Sequence, residues 1–194
     1  MSDYILWNTM WNEGGLDSSW VINAPDDTLV NYFKNNKPIT VLEIGCGSGD
    51  NANFMAQQGC TVDAIDISDF AIQSARALSA NVNFICDDFM KTDKLTQQYD
   101  FIFDRGFFHG LTNKTLALTK IASLLKPGGK WLSLIGSSEG KTAENSGPPS
   151  HSLYSVVSII EPQLRILSVN TITILNKKTV LSPGWAVLST VRTK

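Results

Sequence analysis

Five short apolar runs, ITVLEIG (39–45), TVDAID (61–66), VNFICD (82–87), YDFIFD (99–104) and KWLSLIG (130–136), recur along the chain with helix-periodic stretches between them. No other feature restricts the fold as much. Strands buried on both faces read as near-continuous apolar runs, and strands separated by helices belong to an open parallel sheet covered on both sides. The intervening helices are NANFMAQQG (51–59), SDFAIQSARALSA (68–80) and TNKTLALTKIASLLKPGG (112–129). Ser68 opens the second, where its hydroxyl can accept from first-turn amides. The third has apolar residues at 116, 118, 121, 124 and 125 and is expected to end at Pro127-Gly128-Gly129.

After Gly136 the rhythm changes. GSSEGKTAENSGPPS (136–150) is a loop of a length that domains reserve for binding flaps. A short helix, HSLYSVVSII, follows, and then LRILSVNTITIL (164–175) and PGWAVLSTVRT (183–193), close enough in sequence to pair as antiparallel strands. The sheet then has seven strands. Residues 1–38, with Trp7, Trp11 and Trp20 in a polar segment, lie outside the alternation and must cover something.

The chain has 194 residues and 43% apolar content, which suits one hydrophobic core and predicts a single domain over 1–194. Sixteen basic against eighteen acidic side chains give a net charge of −2, with no electrostatic footprint for nucleic acid or anionic lipid. MSDYILWNTMWNEGG has no basic run followed by an apolar one, and no segment reaches the roughly 18 apolar residues of a membrane span. Cys46, Cys60 and Cys86 form no CxxC or Cys/His cluster, so they read as small core residues, and no metal site is expected. A soluble, cytoplasmic monomer is the expectation.

The stretch VLEIGCGSGD (41–50) carries a buried strand into Gly45-x-Gly47-x-Gly49 and then a helix. Glycines there let the backbone turn sharply and let a ligand approach it. Asp66 stands twenty-one residues after Gly45 at the end of the next strand, where a carboxylate can accept from both hydroxyls of a ribose. Dinucleotides favour G-x-G-x-x-G and place a pyrophosphate at the helix N-terminus. S-adenosylmethionine has no phosphate; it has an amino-acid tail and a sulfonium, which is a cation, and Glu43 before the turn and Asp50 after it favour that sulfonium.

With these motifs the chain resembles a class I S-adenosylmethionine-dependent methyltransferase over roughly residues 38–192. The resemblance implies an α/β fold, a Rossmann-like three-layer sandwich whose seven-stranded sheet is mostly parallel with an antiparallel C-terminal strand. It divides the expected methyltransferase domain into an aromatic segment (1–38), a cofactor core (39–136) and a flap, helix and last strands (137–194). It also implies that S-adenosylmethionine is the cofactor and S-adenosylhomocysteine its product. Glu43, Gly45, Cys46, Gly47, Asp66 and Ile67 would surround that cofactor, Asp88 in FICDDFM would bind the adenine amino group, and the backbone of Phe89 would lie beside it. KPGGKWLSL is similar to the turn into the family's fifth strand. More narrowly, YDFIFDRGFFHGL, the W-x-x-x-W of Trp7 and Trp11 and the late GPPSHS resemble the thiopurine methyltransferase and tellurite-resistance branch. Trp7 and Trp11 would then cover the cofactor, and Asp104 and Arg105 of the D-R-G turn would face cofactor or acceptor. Relatives often carry a basic residue where this chain has Ser48 and Ser150.

Each of these residues has a plainer reading. Asp104 and Arg105 could form a surface ion pair, and Trp7 and Trp11, four residues apart on one helical face, a satellite core. His109 is a candidate general base for a thiol or phenol, or a packing histidine between aromatics. His151 is expected at the start of the short helix, and Trp131 and Trp185 in the core. Asp87 and Asp88, as strand neighbours, would point to opposite faces, leaving Asp88 for the pocket. Cys46 has no basic neighbour and is not expected to be a nucleophile. The expected function is in-line methyl transfer to a small molecule with an easily lost proton, such as a thiol, a phenol, a thiopurine or a selenium or tellurium oxyanion. The alternatives are a catalytically silent cofactor-binding sensor and a nicotinamide-dependent oxidoreductase. An adenine N6-methylating enzyme is disfavoured because Asp104-Arg105-Gly106-Phe107 replaces the Pro-Pro-aromatic run such enzymes carry.

Overall fold

The computed structural model describes residues 3–139, 149–175 and 182–192, with side chains from residue 5 onward. Residues of the expected flap from 140 to 148, including Gly147 and Pro148 of GPPSHS, lie outside the described residues, as does Thr193 at the end of the last expected strand. Contacts group the chain into two units, one running to Leu95 and one from Thr96.

The first unit begins with two helices that the periodicity of the sequence did not disclose. Helix α1 (Asp3–Gly14) runs into a 3₁₀ turn at Gly15–Asp17, and α2 (Asp27–Asn35) follows a linker. Asp26 caps α2, its Oδ1 accepting from the Thr28 amide at 2.9 Å, which satisfies one of the helix's orphan donors. Leu29 and Phe33 bury the inner face of α2. Then β1 (Thr40–Ile44), α3 (Asp50–Gln57), β2 (Thr61–Asp66), α4 (Asp69–Leu78) and β3 (Val82–Cys86) alternate as expected. The three strands are parallel, in the order β3-β2-β1, with Ile44 opposite Ile65 and Ile65 opposite Ile85. Val41, Leu42, Ile44, Ala64 and Ile65 are fully buried, and the larger side chains among them stabilise the fold by about 1.5–3 kcal/mol each. Ser68 caps α4 as predicted, its Oγ accepting from the Ala71 amide at 3.3 Å.

In the second unit the order is β4 (Tyr99–Arg105), α5 (Phe107–Gly110), α6 (Lys114–Leu124), β5 (Leu125–Ser137), β6 (Ser150–His151), α7 (Leu153–Ile160), β7 (Leu164–Ile174) and β8 (Ser182–Val191). Strands β4 and β5 are parallel, while β8 runs antiparallel to both β5 and β7, so the C-terminal antiparallel pair is present. Two elements go beyond the expectation: the one-turn α5, and β6, which pairs with Gly136 and Ser137 of β5. The third predicted helix stops at Leu124, earlier than Pro127. Leu125 is already extended, and Lys126, as the residue before a proline, is pushed out of the helical region. The register then jumps from Tyr99–Leu125 to Phe101–Lys130. Gly129 permits this bulge, because a β-carbon there would lie 2.9 Å from the carbonyl oxygens of Lys126 and Tyr99.

Candidate functional site

In the first unit the turn between β1 and α3 is held by β2. The amides of Gly45 and Cys46 both donate to the Ile65 carbonyl, at 2.8 and 3.1 Å. Gly45, Gly47 and Gly49 have φ of 69°, 54° and 83°, a region costly to residues with a β-carbon. Gly49 is also a packing requirement, since a β-carbon there would meet Ala75 Cβ at 2.8 Å and the Phe84 ring at 3.1 Å. Asp66 closes the turn from the end of β2. Its Oδ2 accepts from the Gly47 amide and its Oδ1 from the Ser68 amide, both at 2.9 Å. A carboxylate has about four lone-pair sites, so beside the Gly47, Ser68 and Ile67 amides the group keeps room for a further donor such as a ribose hydroxyl. Burial raises its pKa, and the amides of Ser68, Gly47 and Ile67 pull it part of the way back.

Glu43 is 1% exposed. Its Oε1 accepts from Asn51 Nδ2 at 2.9 Å, whereas Oε2 is buried without a hydrogen-bond partner. An orphaned buried carboxylate oxygen beside a glycine turn suits a cationic group, and the residues present fit the amino-acid tail of S-adenosylmethionine. Cys46 is buried, and desolvation together with Asp66 and Glu43 pushes its thiol well up, which rules out a ready nucleophile.

Trp11 lies over the turn: it is 2% exposed, and a β-carbon on Gly47 would sit 3.2 Å from its Cζ2. Its ring meets Trp20 edge to face at 6.0 Å and stacks on Phe70 at 6.4 Å, and Trp7 joins through Trp20, also at 6.0 Å. With Val21 and Ala71 these form a small core, so the satellite core and the cover over the turn are the same feature. Trp7 is at its rim, 38% exposed.

Asp87 and Asp88 lie past the end of β3, so the strand alternation invoked for them does not apply. Asp88 Oδ1 accepts from the Met90 amide at 2.9 Å and its Oδ2 pairs with Lys91 at 3.0 Å. Asp87 pairs with Lys94 and accepts from Thr92 Oγ1, contacts that hold its carboxyl below the ordinary range. Phe89 is buried. Cys86, expected in the core, is half-buried at the strand end, where its Sγ donates to Asp69 Oδ1 at 2.8 Å and its pKa is pushed up to about 12.

In the second unit the D-R-G turn leads from β4 into α5. Asp104 has no exposed surface; its Oδ1 accepts from the Phe108 amide at 3.0 Å and its Oδ2 from Trp131 Nε1 at 2.9 Å. Burial raises its pKa to about 6 against the pull of these donors. The carboxyl faces inward and is spent on α5 and Trp131, so the cofactor contact expected of Asp104 gives way to a positioning role. Arg105 donates through Nη2 to the Leu175 carbonyl. His109, on α5, accepts the Gly136 amide at Nδ1, 3.2 Å away, which places the ring proton of the neutral form on Nε2. That tautomer is a donor; the base role expected from sequence is not what this hydrogen-bond pattern supports. His151 lies in β6, before α7 rather than in it. Its Nε2 bonds the His109 carbonyl, and its own carbonyl accepts from Trp185 Nε1, both at 3.0 Å. Trp131 and Trp185 are buried, at 0% and 4% exposure.

The residues missed from sequence are Asn51 and Asp26, which support Glu43; the only signal was a polar pair, Asp50-Asn51, at a helix start. Among the described residues no group of three His, Cys, Asp or Glu side chains could hold a metal ion, and no helix is long and apolar enough to cross a membrane.

Residues 41–129 match the family model described as methyltransferase domain. The ubiquinone biosynthesis O-methyltransferase of Coxiella burnetii is 31% identical over 94 residues, 46% of this chain and 40% of that protein. The match therefore spans well under half the length of this curated relative. A solved S-adenosylmethionine-dependent methyltransferase from Anabaena variabilis superposes with a TM-score of 0.78 at 15% identity, covering 99% of this chain and 96% of the other. The N-methyltransferase NodS from Bradyrhizobium japonicum, in complex with S-adenosylhomocysteine, gives 0.71 at 16% identity, covering 96% and 100%. The chain has the α/β, Rossmann-like fold of class I S-adenosylmethionine-dependent methyltransferases. Its methyltransferase domain match lies at 41–129.

Proposed function

We propose that the protein is an S-adenosylmethionine-dependent methyltransferase that acts on a small molecule. The observation that carries this reading is the glycine turn of the first unit, bonded to Asp66 and preceded on β1 by Glu43, one of whose buried oxygens has no hydrogen-bond partner. When bound, the cofactor supplies a methyl group already activated on a sulfonium. This chain's residues then have to bind, orient and exclude water: Asp66 takes the ribose hydroxyls, Glu43 the ammonium, Asp88 and the Phe89 backbone the adenine, and Trp11 keeps solvent off the turn.

Recognition of the acceptor is assigned to the second unit, with Arg105 for an anionic group, Phe107 for a flat one and His109 as a hydrogen-bond donor. A donor in place of a base restricts the acceptor to groups that lose a proton readily: thiols, phenols, thiopurines, or selenium and tellurium oxyanions. The curated relative is named as an O-methyltransferase of ubiquinone biosynthesis, which favours testing phenols first. The W-x-x-x-W segment and D-R-G turn support the thiopurine and tellurite branch as a second set.

The test is formation of S-adenosylhomocysteine from S-adenosylmethionine across a panel of catechols, aryl thiols, thiopurines and tellurite. Turnover of one class, lost in Asp66→Ala, is the expected result. Saturable cofactor binding with no turnover of any class would favour a silent sensor, and oxidation of NADH would favour an oxidoreductase.

A further inference from the structure

Asn51 is fixed on both sides of its amide. Its Nδ2 donates to Glu43 Oε1 at 2.9 Å, and its Oδ1 accepts from the Asp26 backbone amide, also at 2.9 Å. Asp26 is itself 6% exposed and committed as the cap of α2. The Asn51 amide therefore cannot turn over without losing a bond, and it presents Glu43 in a single orientation with Oε2 unshared. A buried carboxylate with an unpaired oxygen is unfavourable because the charge has lost its hydration, and a group in that position holds a proton until a cation arrives. The charged groups acting on Glu43, Asp50 on α3 and Asp66 on β2, make this stronger; the Cys46 thiol in the turn is itself pushed well up and stays neutral.

Resting on the cofactor reading above, we propose that Asn51 is the positioning residue that aims Glu43 at the ammonium of the cofactor's amino-acid tail, and that binding expels the Glu43 proton to solvent. In the free protein the side chain is a neutral carboxylic acid. In the complex it is a carboxylate facing an ammonium; the proton passes to the buffer and no other bond is made or broken. Burial, which raises the Glu43 pKa to about 8 while the Asn51 side chain and the Ala52 backbone amide lower it, sets the range in which this is measurable. Below that value affinity rises with pH, because the carboxylate has to be made before the cation can pair with it.

The experiment is calorimetric titration of the full chain with S-adenosylhomocysteine, which has the ammonium but no sulfonium, in phosphate and in Tris, whose ionisation heats differ. With the Glu43 pKa at about 8, about 0.9 proton is expected to be released per site at pH 7 and about half a proton at pH 8, with affinity rising roughly ninefold from pH 6 to pH 7. This measurement needs no variant. Asn51→Ala, checked for folding by thermal melting, removes the larger of the two hydrogen bonds that lower the Glu43 pKa and leaves that of the Ala52 amide. Its proton release at pH 8 moves toward one, and its several-fold affinity deficit at pH 7 shrinks at pH 8. Glu43→Gln releases no proton. Binding by the unmodified protein with no proton release at pH 7, or an Asn51→Ala deficit equal at both pH values with unchanged release, overturns the proposal while leaving cofactor binding intact. Absence of binding heat at every pH sinks the cofactor reading and this proposal with it.

Discussion

The indole of Trp11 rests on Gly47: a β-carbon at the glycine would lie 3.2 Å from Trp11 Cζ2, and the same residue holds a φ of 54° while its amide bonds Asp66. Gly47→Ala is therefore expected to lose about 1–2 kcal/mol from the left-handed backbone alone, with a further loss from the contact. Urea unfolding of Gly47→Ala, Trp11→Ala and the double variant separates the two, because only the contact part disappears when Trp11 is removed. Additive losses would show that Trp11 does not press on the turn.

Asp104 makes stability depend on pH in a defined sense. Its carboxyl ionises near 6 when folded because it is buried, against about 3.9 in an unfolded chain. The folded state thus binds the proton more tightly between these values, and this contribution is full below about pH 4 and lost as pH rises through about 6. In Asp104→Asn the titration is gone and one of the Phe108 and Trp131 donors faces an amide NH₂ in place of an oxygen, a cost of about 1–3 kcal/mol. Denaturant unfolding at several pH values is expected to show the margin of the native protein over Asp104→Asn shrinking from pH 4.5 to pH 7. A constant margin would contradict the assignment.

His109 separates a structural acceptor from a catalytic base. His109→Ala strands the buried Gly136 amide, at about 1–3 kcal/mol, while His109→Asn offers an oxygen in nearly the place of Nδ1 and should recover most of that. On an acceptor identified by the panel, the shape of the rate profile between pH 6 and 8 should be the same in His109→Asn as in the native protein. A limb lost in the variant would restore the base.

The thiols should be slow. Cys46 and Cys60 are buried and Cys86 donates to Asp69, with the Cys46 and Cys86 thiols both raised by burial. Iodoacetamide at pH 8 followed by mass spectrometry should leave the native protein largely unmodified and label all three cysteines in urea. Rapid labelling of native Cys86 would contradict the geometry.

What was legible in the sequence follows from what is local. The strands at 61–66 and 82–86 and the Ser68 cap are written in apolar continuity and a single hydroxyl, and the glycine turn in residues that alone tolerate its backbone. Helix α1 is not, because Trp11 is the one buried residue among its described side chains, too few to make a period. The one-turn α5 depends on a carboxylate four residues from the amide it holds and on Trp131 from another strand. The neutral tautomer of His109 depends on Gly136, twenty-seven residues away, and the aim of Glu43 on Asn51 and Asp26. These are tertiary relations with no pattern along the chain.

Calorimetry of the unmodified chain against S-adenosylhomocysteine and, separately, NADH tests the central claim most directly. One S-adenosylhomocysteine per chain in the micromolar range, weakened severely by Asp66→Ala, with no heat from NADH, is the predicted outcome. Binding of NADH in place of the sulfur nucleoside, or indifference of the nucleoside to Asp66→Ala, would contradict it.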